Sequence, residues 1–186
     1  MIAEKLYFVA IIPPEPIRGI IEDIKVQFAT QYRVYHALKS PPHITLIPPF
    51  KLSGNDLPKL RNLLTNCISQ LSPFNITIKN YGCFKPRVIY LKPVLNDKLQ
   101  LIHQQINRAF FHGFPSLIQS NRPFHPHLTI AFRDLTPKIF DISWTEVKQK
   151  RFESEFTAEA VSLLMHDGKR WIEHLQFELK GQDLPA

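Results

Sequence analysis

One short pattern occurs twice in the chain, and it constrains the fold more than any other feature. The segment "PPHITLIPPF" begins at Pro41, and the segment "HPHLTIAFR" begins at His125. In each, a histidine follows a proline and precedes an aliphatic residue, a threonine and further aliphatic residues. Both segments have the composition of a β-strand. The fold therefore has to accommodate two strands with the same arrangement of polar and apolar residues.

The two strands are predicted to present polar residues on one face and apolar residues on the other. Residues two apart on a strand point to the same side. His43 and Thr45 therefore project together, and so do His127 and Thr129. The residues predicted to face a hydrophobic layer are Ile44, Leu46, Leu128 and Ile130. If the strands lie side by side, two imidazoles and two hydroxyls converge on one cleft.

The order of predicted elements is also repeated. Strand patterns occur in "KLYFVAIIP", "HITLI", "FNITIKNYG", "RVIYLKPV" and "HLTIAF". Helical spacing of apolar residues occurs in "PEPIRGIIEDIKVQF", "NDLPKLRNLLTNCISQL", "NDKLQLIHQQINRAFF" and "TPKIFDISWTEVKQK". The last stretch, "FTAEAVSLLMHDGKRWIEHLQFEL", is predicted to form two strands around the turn at Asp167-Gly168. We therefore predict an α+β fold in which residues 1–186 form a single bilobal domain, with two pseudo-symmetric lobes and antiparallel sheets around a central cleft.

Composition narrows the class of protein. The 186 residues are 44% hydrophobic, which is enough apolar matter for a sizeable core. The net charge of +7 favours anionic partners such as phosphates or RNA, although the basic residues form no long run. Only six glycines are present, and no glycine-rich phosphate loop occurs, which argues against P-loop and Rossmann nucleotide sites. Cys67 and Cys83 have neither a disulfide framework nor a zinc-ligand spacing.

The sequence predicts no membrane association. The apolar run near the N-terminus is preceded by an acidic residue, ends in prolines and lacks a cleavage site, so we expect no signal peptide. No stretch approaches the roughly 20 apolar residues of a membrane helix. We therefore expect a protein of the reducing cytoplasm, and we expect it to be a monomer.

The paired histidines suit the transfer of phosphoryl groups. Such a displacement needs a base on the attacking oxygen and an acid on the leaving oxygen. An ordinary histidine pKa of about 6.5 allows one imidazole to be neutral while the other is charged near neutral pH. The threonine hydroxyls can donate to phosphate oxygens. This scheme requires no metal and no cofactor.

The residues "SPPHITLIPPF" and "FHPHLTIAF" resemble the paired signatures of the two-histidine (2H) phosphoesterase superfamily. Within it, the chain is similar to bacterial and archaeal proteins called 2'-5' RNA ligases or RNA 2',3'-cyclic phosphodiesterases. "KLYFVAIIPPE" and "YGCFKPRVIYLKP" resemble the opening and middle strands of that group. The resemblance implies metal-independent opening of a 2',3'-cyclic phosphate to a 2'-phosphate, and 2'-5' joining of RNA ends in some members. It also implies that His43 donates a proton, that His127 accepts one, and that Thr45 and Thr129 hold the phosphate.

Further candidates come from position and chemistry. Arg133 shares the parity of His127 and could neutralise phosphate if the strand stays regular; it could equally form a surface ion pair. Phe50 and Phe84 could stack on a base or belong to the core. His125 and His127 form an HxH pair without a convincing third ligand, so we predict no metal site. The remaining histidines, predicted to be superficial or structural, are His36, His103, His112, His166 and His174.

The sequence leaves three classes of function open. The first is a cyclic phosphodiesterase whose partners are RNA termini or small cyclic nucleotides. The second is a non-catalytic nucleotide- or RNA-binding module with the same cleft. The third, a structural interaction domain, would leave the duplicated histidine and threonine pairs unexplained. Intact residues in both motifs favour the enzyme.

Overall fold

The computed structural model describes residues 4–117 and 123–181, which form eight strands and four α-helices. The strands are β1 (Glu4–Ile11), β2 (Ile44–Ser53), β3 (Phe74–Phe84), β4 (Val88–Pro93), β5 (Leu128–Ala131), β6 (Glu153–Ala158), β7 (Ala160–His166) and β8 (Trp171–Glu178). The helices are α1 (Ile17–Tyr32), α2 (Leu57–Ile68), α3 (Asp97–Gly113) and α4 (Pro137–Val147). Short 3-10 turns lie at His36–Lys39, Gly54–Asp56 and Pro115–Leu117.

The strands form one antiparallel sheet in the order β6-β3-β4-β5-β2-β1-β7-β8. The two motif strands, β2 and β5, are the middle pair, and they meet where Ile44 lies opposite Leu128. Each half of the sheet contains four strands, so the predicted α+β fold with two antiparallel lobes is confirmed. The sheets of the two lobes are continuous with each other at the centre.

The repeated order of elements is also confirmed. The chain runs β1-α1-β2-α2-β3 and then β4-α3-β5-α4-β6, so each motif strand is the second strand of its repeat. Because β1 flanks β2 on one side and β4 flanks β5 on the other, an approximate two-fold axis passes between the motif strands. This placement brings the two histidine motifs to the centre of the molecule.

The core lies against the aliphatic face of the motif strands. Ile44 and Leu46 on β2 and Leu128 and Ile130 on β5 are buried, as residue parity predicts. On α3 the predicted apolar face is also buried; it consists of Leu99, Ile102, Ile106 and Phe110. Burying each such side chain stabilises the fold by about 1.5–3 kcal/mol. The Asn96 side chain begins α3 by accepting a 2.8 Å hydrogen bond from the Leu99 amide.

Strand β2 is longer than the predicted "HITLI" because it continues through Pro48 and Pro49. Prolines lack the amide hydrogen that a central strand needs. They are exposed here, and the pairing of β2 with β5 is limited to the position of Ile44. The pairing with β1 shifts register between Tyr7 and Val9, where β2 holds an extra residue. The prolines thus occupy a part of β2 where the ladder is already interrupted.

The prediction of two strands at the C-terminal end was wrong, because three are present. The missed strand, β6, is an edge strand that pairs with β3, and its glutamates Glu153 and Glu155 are exposed. It lacks the dense aliphatic content of the other strands, and only Glu159 separates it from β7, with no glycine or proline as a turn signal. The predicted hairpin between β7 and β8 is present, with Gly168 in the left-handed region at φ 104°.

Within the described ranges, no helix has the length and apolar composition required to span a bilayer.

Candidate active site

The structure brings the four motif side chains to one cavity of about 530 Å³. His43, Thr45, His127 and Thr129 are all half-buried and line it, while their alternating aliphatic neighbours face the core. We call this space the active cavity. The antiparallel pairing of β2 with β5 positions these side chains, because it places the two motifs side by side at the two-fold axis.

Both imidazoles are fixed in the same way. Nδ1 of His43 lies 2.7 Å from the Pro41 carbonyl oxygen, and Nδ1 of His127 lies 2.7 Å from the His125 carbonyl oxygen. A carbonyl oxygen only accepts hydrogen bonds, so Nδ1 must be the donor in each ring. The neutral tautomer therefore carries its lone pair on Nε2. In both motifs the proline between the carbonyl and the histidine shapes this short turn, which gives the "PPH" and "HPH" sequences a structural reason.

Each histidine also packs against aromatic rings. The ring of His43 lies 4.7 Å from that of Phe8 on β1. The ring of His127 lies 5.2 Å from Phe84 and 5.5 Å from Tyr90, measured between centroids. Phe8 and Tyr90 come from β1 and β4, the strands related by the approximate two-fold axis. These rings restrict the rotation of the imidazoles and exclude water from one side of each.

The two histidines differ in electrostatic surroundings. Burial, together with the positive charge of Lys25 and the neighbouring His127, lowers the pKa of His43 to about 4, although the hydrogen bond to Pro41 opposes the shift. Burial also lowers the pKa of His127, although the hydrogen bond to the His125 carbonyl opposes the shift. Both imidazoles are therefore neutral near pH 7 in the free protein. An anion in the cavity would favour the charged form of either ring.

Lys25 is a site residue that the sequence analysis missed. It lies on α1, is 3% exposed, and its Nζ donates a 2.6 Å hydrogen bond to the Ser40 carbonyl oxygen. Burial lowers its pKa to about 8. A sequence signal was available, because Lys25 lies four residues after Ile21 and three before Phe28, within the apolar stripe of α1. A lysine in such a stripe is buried when a specific partner holds it.

Other residues of the cavity wall come from outside the motifs. His36 and Lys39 lie on the 3-10 turn before β2, and His166, Lys169 and Trp171 lie around the β7–β8 turn. The prediction that His36 and His166 are superficial or structural missed their position in the cavity wall. His36 belongs to a turn, so strand parity could not place it, whereas His166 is the last residue of β7 and shares the parity of Leu164, which packs with Phe8 of the cavity wall.

The three further candidates, Arg133, Phe84 and Phe50, lie in different places relative to the active cavity. Arg133 lines the active cavity, although β5 ends at Ala131. Its left-handed backbone conformation, at φ 61°, and not the alternation of a strand, directs it to the cavity. Phe84 is 38% exposed beside His127, which leaves its ring accessible to a base. Of the two alternatives for Phe50, stacking on a base or packing in the core, the structure shows the core. Phe50 is 5% exposed and packs in the core at 5.4 Å from the ring of Phe110. It pairs with Tyr7 of β1, which belongs to the same core.

Side chains of the metal-ligating types are dispersed in the part of the chain that the structure describes. Those residues contain no group of three or more histidine, cysteine, aspartate or glutamate side chains able to hold an ion. Cys67 and Cys83 are free and half-buried. His125 is exposed, and its carbonyl serves to orient His127.

The chain is similar to known proteins in sequence. Residues 13–170 match the family model of the 2'-5' RNA ligase superfamily. A provisionally named phosphoesterase of Geobacillus kaustophilus is 28% identical over 95% of this chain and 98% of its own length. A similarly named protein of Staphylococcus epidermidis is 30% identical over 70% of this chain and 75% of its own length.

Solved structures share the fold. A Thermus thermophilus protein superposes with a TM-score of 0.71 at 21% identity, over 96% of this chain and 99% of its own. Escherichia coli LigT, solved in complex with 3'-AMP, superposes with a TM-score of 0.68 at 19% identity, over 95% and 99% of the two chains. The family match covers most of the chain and includes both histidine motifs. The chain belongs to the 2'-5' RNA ligase superfamily, whose named relatives are phosphoesterases.

Proposed function

We propose that the protein is a metal-independent cyclic phosphodiesterase that opens 2',3'-cyclic phosphates on RNA ends or nucleotides to 2'-phosphates. One observation carries this proposal. Two imidazoles with the same Nδ1 hydrogen bond, and two threonine hydroxyls, face a single cavity. An acid, a base and two neutral donors are the groups that the displacement at a cyclic phosphate needs. The complex of E. coli LigT with 3'-AMP supports nucleotide ligands for a cavity of this fold.

The proposed reaction is a single displacement at phosphorus. Nε2 of His127 takes a proton from water as the water oxygen forms a bond to phosphorus. The bond from phosphorus to O3' breaks, and His43 delivers its proton to O3'. Thr45 and Thr129 donate hydrogen bonds to the non-bridging oxygens, where negative charge gathers. His127 ends with the additional proton and His43 without one, and solvent restores both.

His43 has to gain its proton when the substrate binds. Its pKa of about 4 leaves the ring neutral in the free protein at pH 7. A cyclic phosphodiester carries one negative charge, which favours the imidazolium form of an adjacent histidine.

Replacing water with a 5'-hydroxyl as the nucleophile would give a 2'-5' phosphodiester through the same two histidines. Ligation and hydrolysis therefore require the same acid and the same base in this cavity.

Hydrolysis of cyclic phosphates in the presence of EDTA tests the proposal. We expect the pure protein to convert 2',3'-cyclic nucleotides and a cyclic-phosphate-ended oligonucleotide to 2'-phosphates, identified by chromatography against both monophosphate standards. Loss of turnover in EDTA and recovery with a divalent ion would contradict the metal-independent reaction. A 3'-phosphate product would reverse the ribose in the cavity and the roles of the two histidines. Nucleotide binding without turnover of any cyclic phosphate would instead favour the binding module.

Removing one threonine hydroxyl should have a moderate effect. Thr45→Val and Thr129→Val keep the shape of the side chain and lose a donor to a charged phosphate. We expect each to cost about 1–3 kcal/mol of transition-state stabilisation, which is a roughly 5- to 150-fold lower kcat/KM. Thr157→Val is the matched control, because Thr157 is exposed on β6 and bonds to the side chain of Asn75. Equal kinetics for all three variants and the wild type would remove the threonines from the mechanism.

A further inference from the structure

A second cavity, of about 470 Å³, lies beside the active cavity. The two share three wall residues, namely Lys39, Ser40 and Trp171. The remaining wall of the second cavity comes from α1, from residues 38–41 and from the beginning of β8. We call it the side cavity. The two cavities therefore adjoin at these three residues.

The side cavity has an excess of positive charge. Its charged wall residues are Arg18, Glu22, Lys25, Lys39, Arg170 and Glu173. Both acidic groups are engaged, since Glu22 pairs with Arg18 at 3.1 Å and Glu173 accepts a 2.6 Å hydrogen bond from Ser162. Lys25 donates to the Ser40 carbonyl.

Two cations in that wall remain accessible to a ligand. Among the described residues, Lys39 has no hydrogen bond or ion pair, and its side chain is exposed. The Arg170 side chain is 72% exposed, and its Nε lies 3.9 Å from Asp167, the outer limit of an ion pair. Lys39 and Arg170 can therefore receive an anionic group at the boundary of the side cavity.

The β7–β8 turn places one cationic side chain in the wall of each cavity. Lys169 lines the active cavity, and the next residue, Arg170, lines the side cavity. The Asp167 side chain fixes this turn by accepting 2.8 Å hydrogen bonds from the amides of both residues. The next residue along the chain, Trp171, is half-buried against Phe8, with 4.7 Å between ring centroids, and borders both cavities. Two cations and an indole are thus held in a defined arrangement along the boundary.

We propose that the side cavity binds the nucleotide that precedes a terminal 2',3'-cyclic phosphate, and thereby makes oligonucleotides better substrates than cyclic mononucleotides. This inference rests on the proposed function. A terminal cyclic phosphate occupies the 3' end of a strand, so the rest of the strand continues from the 5'-oxygen of the same ribose. With the cyclic phosphate in the active cavity, the next phosphate meets Lys39 and Arg170. The preceding base stacks against Trp171, a contact that tolerates any base.

The test compares kcat/KM for adenosine 2',3'-cyclic phosphate with kcat/KM for the dinucleotide ApA that ends in a 2',3'-cyclic phosphate. We expect the wild-type protein to prefer the dinucleotide by about tenfold, the scale of one charge-assisted phosphate contact. Arg170→Glu should reduce the preference to near one. Arg61→Glu makes the same change of charge at an exposed position of α2 and should leave the preference unchanged. In the wild type, kcat/KM for the dinucleotide should also fall more steeply with salt than kcat/KM for the mononucleotide.

The outcomes separate the two proposals. Equal kcat/KM for both substrates in the wild type, or the same preference in Arg170→Glu and Arg61→Glu, would overturn the side cavity as a nucleotide site while the cyclic phosphodiesterase stands. Absence of turnover on both substrates would overturn the proposed function itself. Circular dichroism of Arg170→Glu checks that the turn substitution leaves the fold intact, which is expected because Asp167 bonds to the backbone amide of Arg170 and not to its side chain alone.

Discussion

His43→Ala and His127→Ala should each lower kcat/KM for a 2',3'-cyclic phosphate by about a hundredfold to ten-thousandfold, the usual contribution of a positioned proton-transfer group. Both rings line the same cavity, and each has its Nδ1 committed to a backbone carbonyl at 2.7 Å. An acid and a base that serve one displacement act as a unit. The double variant should therefore be hardly slower than either single variant.

The control for these variants is His112→Ala, which removes an exposed histidine from the end of α3. We expect it to retain wild-type kinetics. All of the alanine variants should remain folded, as measured by circular dichroism and thermal unfolding, because the motif histidines face the cavity and not the core. A folded His127→Ala protein that turns over cyclic phosphate at the wild-type rate would contradict the catalytic assignment. Fully additive losses in the double variant would contradict a shared displacement.

The sequence was sufficient to predict the centre of the fold. The period of two along a strand separates His43 and Thr45 from Ile44 and Leu46, and the repeated order of elements makes the motif strands neighbours. These are local rules, and they hold wherever the strand is regular. Parity could not place Phe50 in the same way, because the register of β2 against β1 shifts between Ile44 and Phe50.

Parts of the site that depend on turns could not be predicted in this way. His36 lies on a 3-10 turn and Lys169 lies in the turn between β7 and β8, and no periodic pattern specifies where a turn residue points. Arg133 reaches the cavity through a left-handed backbone conformation and not through strand alternation. Strand β6 was missed because an exposed edge strand needs few apolar residues. The conformation of a turn decides the first two cases, and pairing with the distant strand β3 decides the last.

The two halves share a backbone plan but support their histidines differently. Each motif is held at the residue three positions before its histidine. In the first half, Lys25 of α1 donates to the carbonyl of Ser40. In the second half, His103 of α3 stacks on Phe124 with the ring centroids 3.9 Å apart, and burial lowers the pKa of His103. A buried cation therefore supports His43, and a neutral ring supports the segment before His127.

The paired histidines also differ in proton affinity, as an acid and a base require, and the charge of Lys25 acts on His43 alone. The pKa of His43 is the more strongly lowered of the two, by burial first and then by the charge of Lys25. Lys25 lines the side cavity, and the titratable or charged groups that face the active cavity with His43 are His36, Lys39, His127, Arg133, His166 and Lys169. Lys25 is distinguished from most of these by its burial, which leaves its charge poorly screened by solvent.

Replacing Lys25 should therefore change the pH dependence of catalysis. Lys25→Met removes both the charge and the hydrogen bond to Ser40, whereas Lys25→Gln removes the charge and retains a donor. Because the Lys25 charge lowers the pKa of His43, both variants should raise it. The pH profile of kcat/KM reports the ionisations of the free protein, and the limb at lower pH belongs to the group with the lower pKa. That limb should move to higher pH in both variants.

The height of the profile then tests the role of His43. If His43 is the acid, a higher pKa places a larger fraction of the protein in the reactive form, so the plateau of kcat/KM rises in Lys25→Gln. If His43 is the base, the limb moves without a rise in the plateau.

Lys25→Met should lose about 1–3 kcal/mol of unfolding free energy relative to Lys25→Gln, because the Ser40 carbonyl loses its partner. Lys148→Met, at the exposed end of α4, removes one charge outside the cavity and should move neither limb. An unmoved limb in both Lys25 variants would show that this buried cation does not act on His43.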